Sequence, residues 1–328
     1  MKGVNNQGTL VLCLRGPKQE TESLTKRIGR DFSGLYHIQK QIGTGAFSLV
    51  YLARNQKGQD IALKVMKPGL YDNHDEAEAE FYREMFERES TLHTYFAEKL
   101  PDKIVNIYDY GVHIANGTHL PFMALELMST SLSFDFIAKN HKEYELKDKV
   151  SMVKDIADAV ACMHKDNTMH GDLKPQNFLF SPNVIEVKHS GKREHIGDRT
   201  VKLTDFGLVA SPDKSEPSNY IKFTLPYAAP EQVLCSQPDI RSDVYSLGVV
   251  LYELVNGERP RQESSGITES FENVKNFVLS PVKDFTPKNP QEAELKPKIM
   301  NCLVQKPEER YQSAQEVSDA LGEFLQAS

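Results

Sequence analysis

The sequence predicts an α+β protein in which strands dominate the first part of the chain and helices dominate the rest. Residues 36–65 have the apolar pattern of strands, with glycine-containing turns between them. Residues 150–163 place apolar side chains at the period of an amphipathic helix, and the chain beyond Asp243 is mostly helical. An apolar stretch that ends at Met128 predicts a further strand, followed by a hinge.

These patterns predict two lobes on either side of the hinge. Residues 35–128 are expected to form an N-terminal lobe made of an antiparallel sheet and one helix, and residues 129–328 a mainly helical C-terminal lobe. Residues 1–34 have no strong periodicity and form a flanking segment. The polar and basic stretch 181–199 is expected to be a loop inserted in the second lobe.

The composition is typical of a soluble globular protein, with 39% hydrophobic and 26% charged residues in a chain of 328. A net charge of −7 argues against nucleic acid as the main partner, because binding a phosphate backbone depends on a basic face. The apolar run Thr9–Leu14 falls far short of the roughly 18 residues that a membrane span needs. We therefore expect no nucleic-acid or membrane partner, and the oligomeric state stays open.

The four cysteines lie far apart and form no CxxC pair or Cys/His cluster with zinc spacing. They are Cys13, Cys162, Cys235 and Cys302. This usage predicts buried free thiols in a reducing compartment, and therefore a cytoplasmic protein.

Two charged residues interrupt apolar patterns in the first lobe. Lys64 ends an apolar strand, and Glu89 lies within the apolar stripe of a helix predicted over about residues 75–99. The apolar members of that stripe are Phe81, Met85, Leu92 and Phe96. Because a buried charge needs a partner, we expect Lys64 and Glu89 to pair. The alternatives are a surface lysine on a sheet edge and a pairing with Glu84 instead.

A glycine-containing loop lies between two predicted strands, at residues 43–50. Gly43 and Gly45 let the backbone approach phosphate closely and present its N–H groups, and Ser48 follows them. An ordinary hairpin turn is the alternative. A dinucleotide-binding motif does not fit, because a strand and not a helix comes next.

The stretch His170–Asn177 brings an acid, a cation and an amide together after an apolar helix. Phosphoryl transfer needs a carboxylate to accept a hydroxyl proton, a cation for the transferred phosphate and an oxygen ligand for Mg²⁺. Asp172, Lys174 and Asn177 offer these three groups, although an Asp/Asn-rich turn has the same composition. Asp205, at the end of a short predicted strand, can also hold a metal.

The order of these motifs resembles the eukaryotic-like, or Hanks-type, protein kinase family over about residues 35–325, and the ending after Lys306 looks most like bacterial members. The resemblance implies a two-lobed protein kinase fold, with ATP and Mg²⁺ as cofactors and proteins as substrates. A lysine two residues after Asp172, here Lys174, resembles the pattern of the Ser/Thr-specific subgroup of the family. Three further features match the family. They are the segment Thr224–Glu231, an aspartate on a helix at Asp243, and a buried ion pair between Glu231 and Arg310.

The resemblance also assigns the site residues. Asp172 is the expected base, Lys174 contacts the γ-phosphate, and Asn177 and Asp205 hold Mg²⁺. Lys64 binds the α- and β-phosphates and pairs with Glu89. The expected nucleotide-binding residues are Gly43, Gly45, Ser48, Val50, Ala62, Lys64, Glu89, Glu126 and Met128, with Leu125 as the gatekeeper.

The sequence departs from the family at Gly171, where an arginine usually precedes the catalytic aspartate. The stretch from Asn177 to Asp205 is also longer than usual, as is that from Lys64 to Glu89. A small-molecule kinase of the aminoglycoside-phosphotransferase-like type, which has His-Gly-Asp here, stays an alternative. A non-catalytic pseudokinase scaffold is a third, although Lys64, Asp172, Asn177 and Asp205 are all present.

Overall fold

The computed structural model of the protein describes most of the chain between residues 28 and 327. The described residues are 28, 32, 34–73, 75–129, 131–132, 144–180, 201–206, 223–234, 238–261 and 271–327, with the backbone of 185–189 and 192–196. They fall into two compact units, one comprising the residues up to Met128 except 102–104, and the other comprising 102–104 and the residues from Ser129 onwards.

The first unit is built on an antiparallel sheet of five strands in the order β1-β2-β3-β5-β4. The strands are β1 (Tyr36–Thr44), β2 (Ser48–Asn55), β3 (Asp60–Met66), β4 (Ile107–Ala115) and β5 (Thr118–Glu126). Short turns join β1 to β2, β2 to β3 and β4 to β5, and Gly58 and Gly117 take the positive φ that the last two of these turns require.

One face of this sheet is the core of the unit. Alternate residues of β2 and β3, among them Tyr51, Ala53, Ile61 and Leu63, are fully buried there. Ile28 and Phe32, which precede β1, are also fully buried and belong to the same cluster. The flanking segment of the chain therefore reaches into the core of the first unit at these two residues.

The helix of the first unit, α1 (Glu76–Lys99), begins where the sequence predicts, because Asp75 caps it by accepting from the N–H groups of Ala77 and Glu78. The predicted apolar stripe is only partly right. Phe96 is buried, but Phe81, Met85 and Leu92 are half-buried. The buried face runs instead through Ala79, Phe86, Glu89, Ser90, His93, Phe96 and Ala97.

The second unit is mainly helical. Within the described residues its helices are α2 (Leu146–Lys165), α3 (Pro230–Val233), α4 (Ile240–Asn256), α5 (Phe271–Leu279), α6 (Pro290–Cys302) and α7 (Ala314–Ala327). The stripe predicted on α2 is confirmed, since Val150, Val153, Ile156, Ala157, Val160 and Met163 are all fully buried. Strands early and helices late confirm the α+β class.

Short strands complete the second unit. Strands β6 (Phe178–Phe180) and β9 (Val201–Leu203) form an antiparallel pair. Between them lies a hairpin of β7 (Ile185–His189) and β8 (Lys192–Ile196), so that the insertion expected to be a loop contains two paired strands.

The cysteines within the described residues are unpaired. Cys302 is buried, and burial raises the pKa of its thiol to about 12, whereas Cys162 is half-buried. Cys13 and Cys235 lie outside the described residues. Within the part of the chain that the structure describes, no helix is both long and apolar enough to cross a membrane.

Candidate active site

The predicted ion pair of the first unit is confirmed. Lys64 Nζ lies 2.5 Å from Glu89 Oε1, and the two side chains are 15% and 7% exposed. Lys64 is on β3 and Glu89 on α1, so the pair fixes the helix against one face of the sheet. Glu84, the alternative partner, is exposed.

Sheet register brings other predicted nucleotide-binding residues onto the face that carries Lys64. Lys64 pairs with Val50 on β2, and Val50 in turn pairs with Gly43 on β1. Ala62 lies two residues before Lys64 and is therefore on the same face. It pairs with Leu125 on β5, whose side chain is 7% exposed. Small and apolar side chains thus surround the lysine on this face.

The stretch Gly43–Val50 comprises the end of β1, the connecting residues 45–47 and the start of β2. Its turn is closed by a bond from the Gly45 N–H to the Ser48 carbonyl, 2.8 Å long. A Cβ atom at Gly45 would lie 3.1 Å from Ser48 Oγ, so a side chain there would crowd the turn. The alternative of a hairpin turn is therefore confirmed for the backbone, and the binding of phosphate by this loop stays a prediction.

The predicted hinge starts at the end of β5. The Glu126 side chain accepts from both the N–H and the Nδ2 amide of Asn106, at 3.1 and 2.9 Å. This turns its carboxylate toward the start of β4. Met128 is half-buried and ends the first unit.

Asp172, Lys174 and Thr224 form a hydrogen-bonded cluster in the second unit. Asp172 is 8% exposed. Its Oδ1 accepts from the Thr224 N–H at 2.9 Å, and its Oδ2 is paired with Lys174 Nζ. Lys174 Nζ also donates to Thr224 Oγ1 at 2.9 Å. The cluster joins a carboxylate, a cation and the segment that starts at Thr224, as the resemblance predicts.

Asn177 and Asp205 lie at the adjacent ends of the paired strands β6 and β9. Phe178 pairs with Leu203, and the Thr204 N–H donates to the Asn177 carbonyl at 3.0 Å. The Asn177 Nδ2 amide donates to the Asp172 carbonyl at 3.0 Å, which connects Asn177 to the backbone of Asp172. Asn177 and Asp205 therefore flank the same strand junction.

Two residues of this region have left-handed backbones. Gly171 has a φ of 80°, which glycine adopts without strain. Asp205 has a φ of 71°, which costs an L-residue of this kind of order 1–3 kcal/mol and is common at functional sites. The backbone thus concentrates strain at one of the predicted metal ligands.

Asp243 on α4 binds the backbone of the stretch His170–Asn177, hereafter the catalytic loop, and the resemblance assigns to this residue the anchoring of the helix beneath that loop. Its fully buried carboxylate accepts from the N–H groups of His170 and Gly171 at 2.8 and 2.9 Å. It also accepts from His164 Nε2 at 3.0 Å. The other ring nitrogen of His164 accepts from the Ala314 N–H at 3.2 Å, so these two bonds together define its tautomer.

The predicted pair between Glu231 and Arg310 is also confirmed. Arg310 donates from both terminal nitrogens to the two carboxylate oxygens, at 2.7 and 2.8 Å, in a bidentate arrangement. Arg310 also donates to the carbonyls of Val304 and Gln305. Ser242 Oγ adds a bond to Glu231 at 2.8 Å.

Several residues that hold the site have no signal in the sequence. Gln232 donates to the Gly171 carbonyl at 2.8 Å and accepts from the Ala229 N–H at 3.0 Å. His164 bonds to Asp243 across 79 residues. These contacts are made by polar residues inside helices, where a pattern based on hydrophobicity treats them as surface positions.

The comparisons with known proteins agree with this geometry. A family model described as the protein kinase domain matches residues 36–321. A probable serine/threonine-protein kinase of Clostridium acetobutylicum is 29% identical over 297 residues, which cover 90% of this chain and 40% of that protein. Serine/threonine-protein kinase PknA of Mycobacterium tuberculosis is 28% identical over 302 residues, covering 91% of this chain and 63% of the relative.

Serine/threonine-protein kinase PknB of the same organism is 29% identical over 289 residues, covering 87% of this chain and 42% of the relative. The chain therefore spans less than two thirds of the length of these relatives. Because the family model covers most of the chain, the protein belongs to the protein kinase domain family.

Proposed function

We propose that the protein is an ATP-dependent protein kinase that transfers the γ-phosphate of ATP to serine and threonine hydroxyls of other proteins. The cluster of Asp172, Lys174 and Thr224 carries the proposal, because it combines a carboxylate, a cation and a hydroxyl within hydrogen-bond reach of one another. Family membership and the names of the bacterial relatives support the same activity.

In this proposal Asp172 is the general base. Its carboxylate accepts the proton of the substrate hydroxyl as that oxygen bonds to the γ-phosphorus, while the bond to the β,γ-bridging oxygen breaks and ADP leaves. Lys174 places a positive charge beside the transferred phosphoryl group. Thr224 holds both side chains in position through its N–H and Oγ1.

Lys64 is proposed to bind the α- and β-phosphates of ATP. Its ion pair with Glu89 holds the ammonium group on the sheet face at a defined point. The backbone N–H groups of the loop that contains Gly43, Gly45 and Ser48 cover the phosphates. The loop offers main-chain donors because two of its positions have no side chain to block approach.

Adenine is proposed to lie against apolar side chains on the same sheet face. Val50 and Ala62 lie there with Leu125 beside them, by strand register. The backbone between Glu126 and Met128 supplies hydrogen bonds to the base. The Glu126 carboxylate accepts hydrogen bonds from Asn106, which keeps its charge away from the backbone groups that would bind adenine.

Mg²⁺ is proposed to be held by the Asn177 amide oxygen and the Asp205 carboxylate. Both are hard oxygen donors, the ligands that Mg²⁺ prefers, and one or two such protein ligands together with phosphates are its usual set. The Asn177 Nδ2 amide already donates to the Asp172 carbonyl, which turns the amide oxygen away from that bond. Bound Mg²⁺ neutralises charge that develops on the phosphate oxygens.

A small-molecule kinase is the second candidate, and Gly171 is the residue that favours it. The bonds that tie the Thr224–Glu231 segment to the catalytic loop favour a protein substrate instead. Thr224 bonds to Asp172 and Gln232 bonds to the Gly171 carbonyl, while the Glu231–Arg310 pair joins the end of the segment to the C-terminal part of the chain. A scaffold without catalysis is disfavoured because Lys64, Asp172, Asn177 and Asp205 are all in place.

The test compares phosphate transfer from Mg²⁺-ATP to a generic protein, such as casein, with transfer to a panel of small alcohols. We expect phosphoserine and phosphothreonine on the protein, with little phosphotyrosine. Transfer mainly to a small alcohol, phosphotyrosine as the main product, or absence of turnover would each overturn the proposal.

The matched variants are Asp172→Asn and Asp102→Asn, the second on the exposed surface. Loss of the base should lower the transfer rate by about 10²–10⁴ and leave the melting temperature close to that of the parent. Asp102→Asn should retain full activity. Near-normal transfer by Asp172→Asn would reject Asp172 as the base.

A further inference from the structure

The tip of the glycine-containing loop, Ala46 and Phe47, is held by Lys67, the residue that follows β3. The Lys67 N–H donates to the Phe47 carbonyl at 2.8 Å, and Lys67 Nζ donates to the Ala46 carbonyl at 2.8 Å. Ser48, the first residue of β2, pairs with Met66, the last residue of β3. The backbone bond therefore continues the β2–β3 ladder one step into the loop.

Phe47 also contacts helix α1. The centroids of the Phe47 and Tyr82 rings are 5.6 Å apart, with an angle of 44° between the ring planes. Both side chains are half-buried. Aromatic pairs at this separation attract each other. The loop tip is thus fastened to the helix by its side chain as well as to β3 by its backbone.

These contacts connect the same side of α1 to the end of β3 that the Lys64–Glu89 pair connects. Tyr82 precedes Glu89 by seven residues, which is about two turns of an α-helix, so the two side chains lie on the same side of α1. Lys67 lies three residues after Lys64. The same strand and helix are therefore joined once through an ion pair and once through the loop tip.

We propose that Lys67 and Tyr82 form a latch that positions the glycine-containing loop over the phosphates of ATP and makes its position depend on α1. This inference rests on the proposed function, because it assumes that the loop covers ATP. A shift of α1 that separates Glu89 from Lys64 would also withdraw Tyr82 from Phe47. The ion pair and the phosphate-covering loop then open together, and nucleotide release needs that opening.

The first measurement is hydrogen exchange in the nucleotide-free protein. Tyr82→Ala removes the ring contact, and exchange over residues 43–48 and at the Lys67 amide should become roughly three- to tenfold faster. Phe47→Ala removes the same contact from the loop side without altering α1 and should have the same effect. Tyr82→Phe keeps the ring and should exchange like the parent. Tyr95→Ala, at a 48% exposed tyrosine of the same helix, is the matched control.

The second measurement is steady-state kinetics with ATP. Tyr82→Ala and Phe47→Ala should raise KM for ATP by about three- to tenfold and change kcat by less than about twofold, as expected for loss of an interaction common to ground and transition states. Tyr82→Phe should restore KM. Lys67→Met removes the Nζ bond but not the backbone bond, so its effect should be smaller.

Unchanged exchange in both Tyr82→Ala and Phe47→Ala would overturn the latch. Faster exchange with an unchanged KM for ATP would contradict its positioning role. If the parent protein does not bind or turn over ATP, the proposed function fails, and the exchange of the nucleotide-free variants still decides whether the latch exists.

Discussion

At the residue scale, the ion pair between Lys64 and Glu89 can be predicted from the sequence, because each charge stands where an apolar residue is expected. Each interrupts an apolar pattern, and each is largely buried, with side-chain exposures of 15% and 7%. A buried charge without a partner is costly, so the pairing follows from their burial. Which face of the helix would meet the strand was not given by the pattern, because Glu84 was also available.

We expect Lys64 and Glu89 to act as one unit in catalysis. Lys64→Met and Glu89→Gln should each lower kcat/KM by nearly as much as the double variant, because either change destroys the same pair. The control is the exposed pair Arg54–Asp60, in which effects should be small and additive. A double variant whose loss equals the sum of the single losses would contradict the coupling.

Glu253 is another buried charge, one that no pattern in the sequence indicates. Its side chain is fully buried in α4, where Oε2 accepts from the Tyr227 hydroxyl at 2.8 Å and Oε1 lies 3.7 Å from Arg259 Nε. Burial raises the pKa of this carboxyl to about 7, against the lowering effects of Tyr227 and Arg259. The folded protein therefore holds this proton more tightly than the unfolded chain does.

The raised pKa of Glu253 predicts a pH-dependent stability. The contribution of the bound proton is fully present below the unfolded pKa of 4.5 and is lost as the pH rises through about 7. Relative to Glu253→Gln, the free energy of unfolding of the parent should fall by about 2–4 kcal/mol across this window. Urea denaturation at several pH values measures it. A difference between the two proteins that does not change with pH would reject the shifted carboxyl.

At the scale of elements, helices α4 and α6 approach each other at Gly248. A Cβ atom on Gly248 would lie 2.4 Å from Cys302 Cβ and 3.2 Å from a methyl group of Leu303. Both neighbours are buried, with exposures of 2% and 3%. The absence of a side chain on α4 therefore sets the distance between the two helices.

We expect Gly248→Ala to destabilise the protein by about 1–3 kcal/mol, because overpacking outweighs the gain in helix propensity. Gly322→Ala in α7 is the matched control. Its Cβ would lie 3.4 Å from the flexible end of Lys154, so this variant should be neutral or up to about 1 kcal/mol more stable. Thermal denaturation of both variants makes the comparison. Equal stability of the two would contradict the close contact.

Helices α1 and α2 show when hydrophobic periodicity is sufficient to predict which face of a helix is buried. In α2 the buried face is mostly apolar, with Lys149 and His164 as its charged or polar members, so its position follows from the sequence. The buried face of α1 includes Ser90 and His93. Ser90 Oγ donates to the Phe86 carbonyl at 2.9 Å, and His93 Nε2 bonds to the Val105 carbonyl at 2.7 Å. Polar side chains with such partners can be buried, and hydrophobicity alone does not reveal them.

At the scale of the whole molecule, the second unit is tied together by contacts between residues far apart in the chain. Arg310 joins the C-terminal part to Glu231 across 79 residues, and its side chain is fully buried. The Arg310 guanidinium also lies over the Tyr245 ring, 4.9 Å from its centroid. The segment that starts at Thr224 thus depends for its position on the last part of the fold.

We expect Arg310→Met to destabilise the protein by about 3–5 kcal/mol, because Glu231 would remain as an uncompensated buried charge. Replacing both residues, as in Glu231→Gln with Arg310→Met, should recover part of that loss. The control is Arg241→Met, which breaks the more exposed pair with Asp239 and should cost less than about 1 kcal/mol. Chemical denaturation gives the values. A double variant less stable than Arg310→Met would reject this account.

The sequence by itself predicted the class of fold, with strands early and helices late, the family resemblance and the candidate residues Lys64, Asp172, Asn177 and Asp205, because these depend on local periodicity and on short motifs. The tertiary structure decided which face of α1 is buried, how His164 and Gln232 support the catalytic loop, and where the tip of the glycine-containing loop is fastened. Those features depend on hydrogen bonds and ring contacts between residues distant in the chain. Such contacts leave no periodic pattern, and their energy appears only once the elements have packed.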